Sequence, residues 1–517
     1  MFSRVFSAQI NLLKGQIISI ETDISSGLNH FSIVGLPDKA IDEAKDRVGS
    51  ALKNANFSSP KHTNQKTIVS LAPAEIKKEG PYFDVAIALG YLLSKEEISF
   101  DPQNKIFLGE LGLNGEVKPV KGVLILARTA REAGFEEVYV PFGNAREAAL
   151  IEGIKIFPVK DLRELIMHLD ADNQKNLLEE NSEILAQVYD ESIWDSFIPE
   201  AIFDLSEIRG QESAKRGLEI AAAGGHNILM FGPPGTGKTM LARAFTSLLP
   251  NLSKEDALDV TGIHSVAGTL KSAIFIRPPF RAPHHTSSYS SVVGGGSTIN
   301  PGEITLAHKG VLFLDEFPEF DRRVVESLRQ PLEDRIINIA RSKGVAQFPA
   351  NFILILAMNP CPCGFYGTKK KPCVCTASDL SKYKRKISGP LIDRIDISLN
   401  VESIDYDKLS EAPTGERSDT VKQRIIKARD LQKKRFESFE TKSKMNAEMN
   451  VKDLDKIILE PSVKNLLNDS AKKLNLSARS YHRIIKLART IADLEGSDEI
   501  KQNHILEAFQ YRPKMVF

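Results

Sequence analysis

The sequence predicts an α/β chain: an α/β N-terminal domain, a nucleotide-binding α/β core and a helical C-terminal lid. Three observations predict it. Strand-like and helix-like patterns alternate through residues 1–167. A strand, a glycine-rich loop and a helix follow one another between residues 227 and 248. From about residue 401 onward the pattern is helical.

In the first stretch, QIISIETDIS and HFSIVGL read as strands, and KTIVSLAP and EEVYVP as two more. PDKAIDEAKDRVGSALKNA reads as a helix. Pro37 stands near its start, and apolar residues recur at Ile41, Ala44, Val48 and Leu52. Residues 168–198 are acidic and read as a helical or partly ordered linker, and residues 199–401 as the nucleotide-binding core. Residues 402–517 form the helical lid, with LSARSYHRIIKLARTIADLEG as its clearest helix, followed by DEIKQNHILEAFQY.

A length of 517 residues suits about three domains. With 42% apolar and 26% charged residues the composition is that of a soluble globular protein. Net charge is +1, so nucleic-acid binding must come from local basic patches. No segment approaches the roughly 18 apolar residues of a membrane span, and the N-terminus does not read as a secretory signal. All four cysteines lie between Cys361 and Cys375, which points to a reducing cytoplasm and a local metal site.

The strongest motif is Gly232-Pro233-Pro234-Gly235-Thr236-Gly237-Lys238-Thr239, which fits G-x-x-x-x-G-K-[ST]. The apolar run NILMF precedes it and the helical MLARAFTSLL follows. Glycines let backbone N–H groups turn toward phosphates, Lys238 brings charge to the β and γ phosphates of ATP, and Thr239 offers its hydroxyl to Mg²⁺. The second motif, VLFLDE (311–316), is a buried parallel strand ending in two carboxylates. Asp315 is the candidate for holding Mg²⁺ and Glu316 for polarising the lytic water. A third strand, NFILILAMNP, carries Asn359 at its end, where a polar side chain can orient that water.

Arg394, in GPLIDRIDISL, has two readings: a local salt bridge with Asp393 or Asp396, or a finger reaching a neighbouring subunit's nucleotide, which implies a ring. Arg479, in LSARSYHR, is the candidate for a lid arginine touching the same nucleotide, with Arg483 one turn on as its competitor.

These motifs resemble AAA+ proteins, with Asn359 in the place of sensor 1 and Arg479 in that of sensor 2. The run RPPFRAPHHTSSYSSVVGGGSTINPGEITLAHKGVLFLDEFPEF looks like their magnesium-chelatase-like branch. FSIVGLPDKAIDEAKDRVGSAL and SLAPAEIKKEGPYFDVAIAL narrow the resemblance to the ComM (YifB) competence-protein family, over nearly the whole chain. The resemblance implies a homo-hexameric ATPase acting on branched or single-stranded DNA, driving branch migration in recombination during natural transformation. A magnesium-chelatase motor subunit and an ATP-driven chaperone or peptidase are the alternatives.

Lys238 and Asp315 are separated by 77 positions, longer than a bare core needs, so something is inserted between them. EDRIINIARSKGVAQFPANF reads as a hairpin whose tip carries Arg341 and Lys343, two cations able to meet DNA phosphates. Cys361, Cys363, Cys373 and Cys375 give C-x-C-x₉-C-x-C, and four thiolates can close a structural Zn²⁺ site. The knuckle is tighter than the usual C-x₂-C, which leaves free thiols as the other reading. Lys369, Lys370, Lys371, Lys382, Lys384, Arg385 and Lys386 crowd around it.

KKEGPYFD and GELGLNGEVKPVKGV resemble the proteolytic domain of Lon (S5-like). That family's nucleophilic serine falls at Tyr82 and its lysine near Leu124, so the resemblance implies a Lon-like fold without peptidase chemistry.

Overall fold

A computed structural model describes residues 1–60, 64–170, 184–194, 203–296, 299–341, 344–367, 371–387, 389–403 and 415–512. The chain divides into two compact units. One holds residues 1–197 and 257–275, the other 198–256 and 276–517. Most of the acidic stretch 168–198 lies outside the described residues. The region expected to be a separate lid belongs to the same unit as the nucleotide core.

The N-terminal unit is a seven-stranded mixed sheet. Its strands are β1 (Phe2–Asn11), β2 (Lys14–Ser26), β3 (His30–Val34), β4 (Gln65–Ala72), β5 (Lys105–Phe107), β6 (Glu137–Pro141) and β7 (Lys155–Val159), in the order β3-β4-β2-β1-β5-β6-β7. The helix expected around residues 37–55 runs from Lys39 to Asn54. Asp38 caps it by accepting from the Ile41 N–H, and Ile41, Ala44, Val48 and Leu52 are all buried. The helix Asp84–Ser94 is buried on nearly every side, and Arg47 grips Asp84 at its start with two hydrogen bonds of 2.6 and 3.0 Å. Tyr82 has its phenol pushed up to about 12 by burial, and Leu124 is fully buried. The pair offers no alcohol–amine dyad.

The long separation between Lys238 and Asp315 has a partial explanation. Residues 257–275, read from sequence as part of the core, belong to the N-terminal unit. There the Ser265 hydroxyl accepts from the Gly122 N–H at 2.9 Å and donates to the buried carboxylate of Glu147, which also accepts from the Leu124 N–H at 2.9 Å. Asp259 pairs with Arg128 at 3.0 Å. The sequence shows only that an insertion exists, because its partners lie more than a hundred residues away.

The second unit is built on five parallel strands: β8 (Ile228–Phe231), β9 (Phe280–Arg281), β10 (Val311–Leu314), β11 (Ile353–Met358) and β12 (Ile397–Asn400), in the order β9-β10-β11-β8-β12. β10 and β11 are buried throughout, which is why they read as unbroken apolar runs. The C-terminal helix Ala478–Leu494, capped by Ser477, puts Ile484, Leu487 and Ile491 into the same core as Leu218, Ile228 and Leu241. No helix of the described residues is long and apolar enough to cross a membrane.

Burial holds the Glu147 carboxyl above its ordinary value, against the Ser265 and Leu124 donors that favour the anion. The folded state therefore binds this proton more tightly than the unfolded chain, and this residue's contribution to stability grows as pH falls through the raised pKa. Glu147→Gln keeps the acceptor without the charge and is expected to hold the unfolding midpoint at neutral pH. Glu147→Ala orphans the Leu124 N–H and costs about 1–3 kcal/mol. Thermal unfolding of the two variants across pH checks both outcomes.

Candidate functional site

The site is assembled by strand register. Phe231 at the end of β8 stands beside Met358 at the end of β11, so Gly232 and Asn359 leave adjacent strands side by side. Leu314 ends β10 on the other flank of β11, and Asp315 and Glu316 follow it. All of these residues leave the carboxyl ends of parallel strands, where open α/β sheets bind ligands.

Lys238 opens the helix Lys238–Leu248 and is buried. Its ammonium donates to the carbonyls of Gly232 and Pro233, both at 2.8 Å, and to Asn359 Oδ1 at 3.2 Å. Burial lowers its pKa from the ordinary lysine value, opposed by the carboxylates of Asp315 and Glu316. The Thr239 hydroxyl donates to Asp315 Oδ2 at 2.7 Å. Lys238, Thr239, Asp315 and Asn359, separated by up to 121 positions, thus meet in one place.

The loop fits a phosphate chain. Gly235 and Gly237 have φ of +75° and +92°, and a Cβ built on either would meet no atom of the described residues within 4 Å. The loop and the N-terminus of the following helix form a cradle whose backbone N–H groups suit anionic oxygens. The Thr239–Asp315 pair has the hydroxyl and carboxylate oxygens that Mg²⁺ takes.

Glu316 is exposed and sits in the left-handed region at φ 49°. For a non-glycine residue that costs of order 1–3 kcal/mol, a cost found mostly at functional sites. His285 Nδ1 lies 3.5 Å from Glu316 Oε2. No role for His285 was read from the sequence. The paired histidines in RAPHHTSS, whose rings stand 4.2 Å apart, were the available signal.

The arginines gather elsewhere. Arg394 and Arg479 both donate to Glu333 Oε1, Arg479 at 2.7 Å. Arg394 also donates to the Pro390 carbonyl at 2.6 Å, and its Nε is buried without a partner among the described residues. Its expected partners in the local salt-bridge reading, Asp393 and Asp396, are replaced by Glu333. Asp396 instead faces His226 at 3.5 Å and Arg483 at 3.4 Å. Arg483, buried and also donating to the Asp393 carbonyl, is tied into the unit's interior, whereas Arg479 is half exposed. Arg394, Arg479 and Glu333 line a cleft of about 810 Å³ to which none of residues 232–239, 315, 316 and 359 contributes.

The four cysteines converge. Cys361 and Cys363 Sγ are 3.3 Å apart, Cys361 and Cys373 3.7 Å, and Cys363 and Cys373 3.5 Å, with all four sulfurs within 4.8 Å of one another. The Cys363 thiol is drawn down to about 6 by the backbone N–H groups of Phe365 and Val374. Tetrahedral sulfurs around a metal at about 2.3 Å stand roughly 3.8 Å apart, so the cluster can hold a metal ion. The expected hairpin forms from Ile336–Arg341 and Gly344–Pro349, with Arg341 opposite Gly344. Lys343 at its tip lies outside the described residues, as do Lys369 and Lys370.

Known proteins were compared with the chain. The family model described as "Magnesium chelatase, subunit ChlI" matches residues 204–409. "Subunit ChlI of Mg-chelatase" matches 20–144, and "Magnesium chelatase, subunit ChlI C-terminal" matches 415–512. The chain is 39% identical over 515 residues to the competence protein ComM of Haemophilus influenzae, covering 98% of this chain and 97% of that one. It is 40% identical over 501 residues to YifB of Salmonella typhimurium, covering 96% and 94%. A shorter likeness, 34% over 96 residues, relates 18% of it to 17% of Lon protease 2 of Bacillus subtilis.

Gly237→Ala puts a side chain into the left-handed region at the start of the helix, at a cost of about 1–2 kcal/mol. The expected result is a small loss of thermal stability and a clear loss of affinity for a fluorescent ATP analogue, read by titration.

Proposed function

Because the chain belongs to the ComM and YifB family of magnesium-chelatase-like AAA+ proteins, we propose that it is an ATP-hydrolysing ring motor acting on DNA, a branch-migration helicase in recombination. One observation carries the motor reading. The loop lysine, the threonine–aspartate pair and Asn359 meet at one sheet edge, while Arg394 and Arg479 wait together in a separate cleft. Two arginines in a cleft without the phosphate loop suit a site completed by a neighbouring subunit, and hence a ring, which the family resemblance makes a homo-hexamer.

When bound, MgATP supplies the phosphoanhydride bond whose hydrolysis drives the motor. Lys238 exchanges its carbonyl partners for phosphate oxygens. Thr239 and Asp315 would hold the magnesium. Glu316, held in its strained conformation, accepts a proton from the lytic water, and Asn359 orients that water. Arg394 and Arg479 neutralise charge in the neighbour's site, an effect worth about 10³–10⁵ in rate for an arginine finger. The four cysteines suit a structural Zn²⁺. The N-terminal unit is read as a Lon-like scaffold for assembly.

DNA as the track is supported by the name of the relative, a competence protein, and by the hairpin carrying Arg341 and Lys343. Use in natural transformation extends from the same name, and a cytoplasmic compartment from the clustering of the four cysteines. The second reading, a magnesium-chelatase motor subunit, is favoured by the descriptions of the matching family models.

ATPase activity measured with and without synthetic four-way DNA, beside a porphyrin metal-insertion assay, separates the two. Stimulation by the junction and migration of its branch point are expected, with no metal insertion. Glu316→Gln should keep nucleotide affinity while turnover falls about 10²–10⁴-fold. Lys238→Ala should lose the affinity itself. Equal turnover in the wild type and Glu316→Gln would refute the assignment of Glu316.

A further inference from the structure

The four cysteines begin two residues after Asn359, with only Pro360 between. Three contacts tie their segment to the hydrolytic site. The first is close packing. Gly364, between the first and second cysteine pairs, has φ +83°, and a Cβ on it would come 2.6 Å from Pro234 Cδ in the phosphate loop. The second is a hydrogen bond. The helix Ala377–Lys386 starts directly after Cys375, capped by Thr376, and its buried Tyr383 donates its hydroxyl to the Asn359 carbonyl at 2.9 Å. The third is an ion pair. Lys386, at the end of that helix, meets Glu319 at 2.8 Å, in the turn that follows Glu316. A segment anchored at Cys361, Cys363, Cys373 and Cys375 therefore touches the phosphate loop, the backbone of Asn359 and the turn after Glu316.

We propose that a metal ion held by the four cysteine sulfurs is the positioning element for ATP hydrolysis, setting the distance between Asn359 and the phosphate loop without touching the nucleotide. This rests on the ATPase reading given above. The sulfurs are already gathered within 4.8 Å of one another, and Cys361 Sγ also accepts from the Tyr366 N–H at 3.3 Å. Four thiolates close the coordination shell, so the ion itself has no open position for chemistry. Its effect is geometric. With the ion bound, the four cysteines are tied into one knot, with Gly364 backing Pro234 and the outgoing helix clamping Asn359 through Tyr383. Without it, no bond ties the four sulfurs to one another and the knot loosens. Lys238 keeps its partners within the loop, Gly232 and Pro233, but its contact to Asn359 depends on the strand end staying in place. The knot is thus expected to govern turnover rather than nucleotide affinity, because a displacement of about 1 Å in a positioned group can cost about 10²-fold in rate.

The test uses the full-length protein in four forms: as purified, stripped with a strong chelator, stripped and reloaded with Zn²⁺, and the Tyr383→Phe variant. Metal content, thermal midpoint, affinity for a fluorescent ATP analogue and kcat are measured on each. The expected result is about one zinc per chain as purified. Stripping should lower kcat about 10²-fold with affinity nearly unchanged, and reloading should restore it. Tyr383→Phe should keep its zinc and its midpoint yet lose part of kcat, which a purely structural knot would not produce. Metal-free protein with native kcat, Tyr383→Phe with native kcat, or loss of affinity and of folding in step with kcat would each overturn the proposal. Zinc-loaded wild type without any ATPase activity would refute the underlying hydrolysis reading, and this inference with it.

Discussion

The hydrogen bond from Lys238 to Asn359 is the contact on which the site depends, and strand register makes it possible. β8 and β11 are parallel neighbours, with Phe231 beside Met358. One residue further on, the phosphate loop and the polar strand end must emerge together. A slip of one residue would bury Asn359 and turn its neighbour outward, since successive side chains in a strand face opposite ways. The buried apolar runs of β10 and β11 keep these strands inside the sheet, covered on both faces. The Thr239–Asp315 hydrogen bond then closes the cluster from the third strand.

Glu333 imposes the complementary constraint. A single carboxylate holds two guanidinium groups that come from different parts of the unit, one after β11 and one on the C-terminal helix Ala478–Leu494. Neither arginine is spent on a partner of the phosphate loop, while the buried Arg483 is fixed to Asp396 and to the Asp393 carbonyl. The two cations are thus oriented in advance, and an anion brought to this cleft would meet both at once. Within one chain, the lysine and the arginines remain in separate sites.

Much of this was legible in the sequence because it is local. The helix at residues 39–54 follows from apolar spacing, and the strands at 228–231, 311–314 and 353–358 from short apolar runs beside glycine or carboxylate signals. The convergence of the cysteines follows from their spacing. What was not legible depends on partners distant in sequence. Arg394 pairs with Glu333, 61 positions away, rather than with the neighbouring Asp393 or Asp396. Residues 257–275 fold with the N-terminal unit because Ser265 and Asp259 find Gly122, Glu147 and Arg128 there. The contacts of Gly364 with Pro234 and of Tyr383 with Asn359 are likewise set by the fold. Periodicity reports which face of an element is apolar, and it carries no record of which polar groups meet across elements.

In the proposed ring, one subunit's arginines complete a neighbour's nucleotide site. Mixing two inactive variants tests it most directly. Arg394→Ala subunits retain the phosphate loop, and Lys238→Ala subunits retain the arginines. Each alone is expected to be nearly inactive, and the mixture to regain ATPase activity in a ratio-dependent way, because some interfaces pair an intact loop with an intact arginine. A mixture as inactive as its parents, although the two proteins co-assemble, would contradict it, as would a fully active monomer.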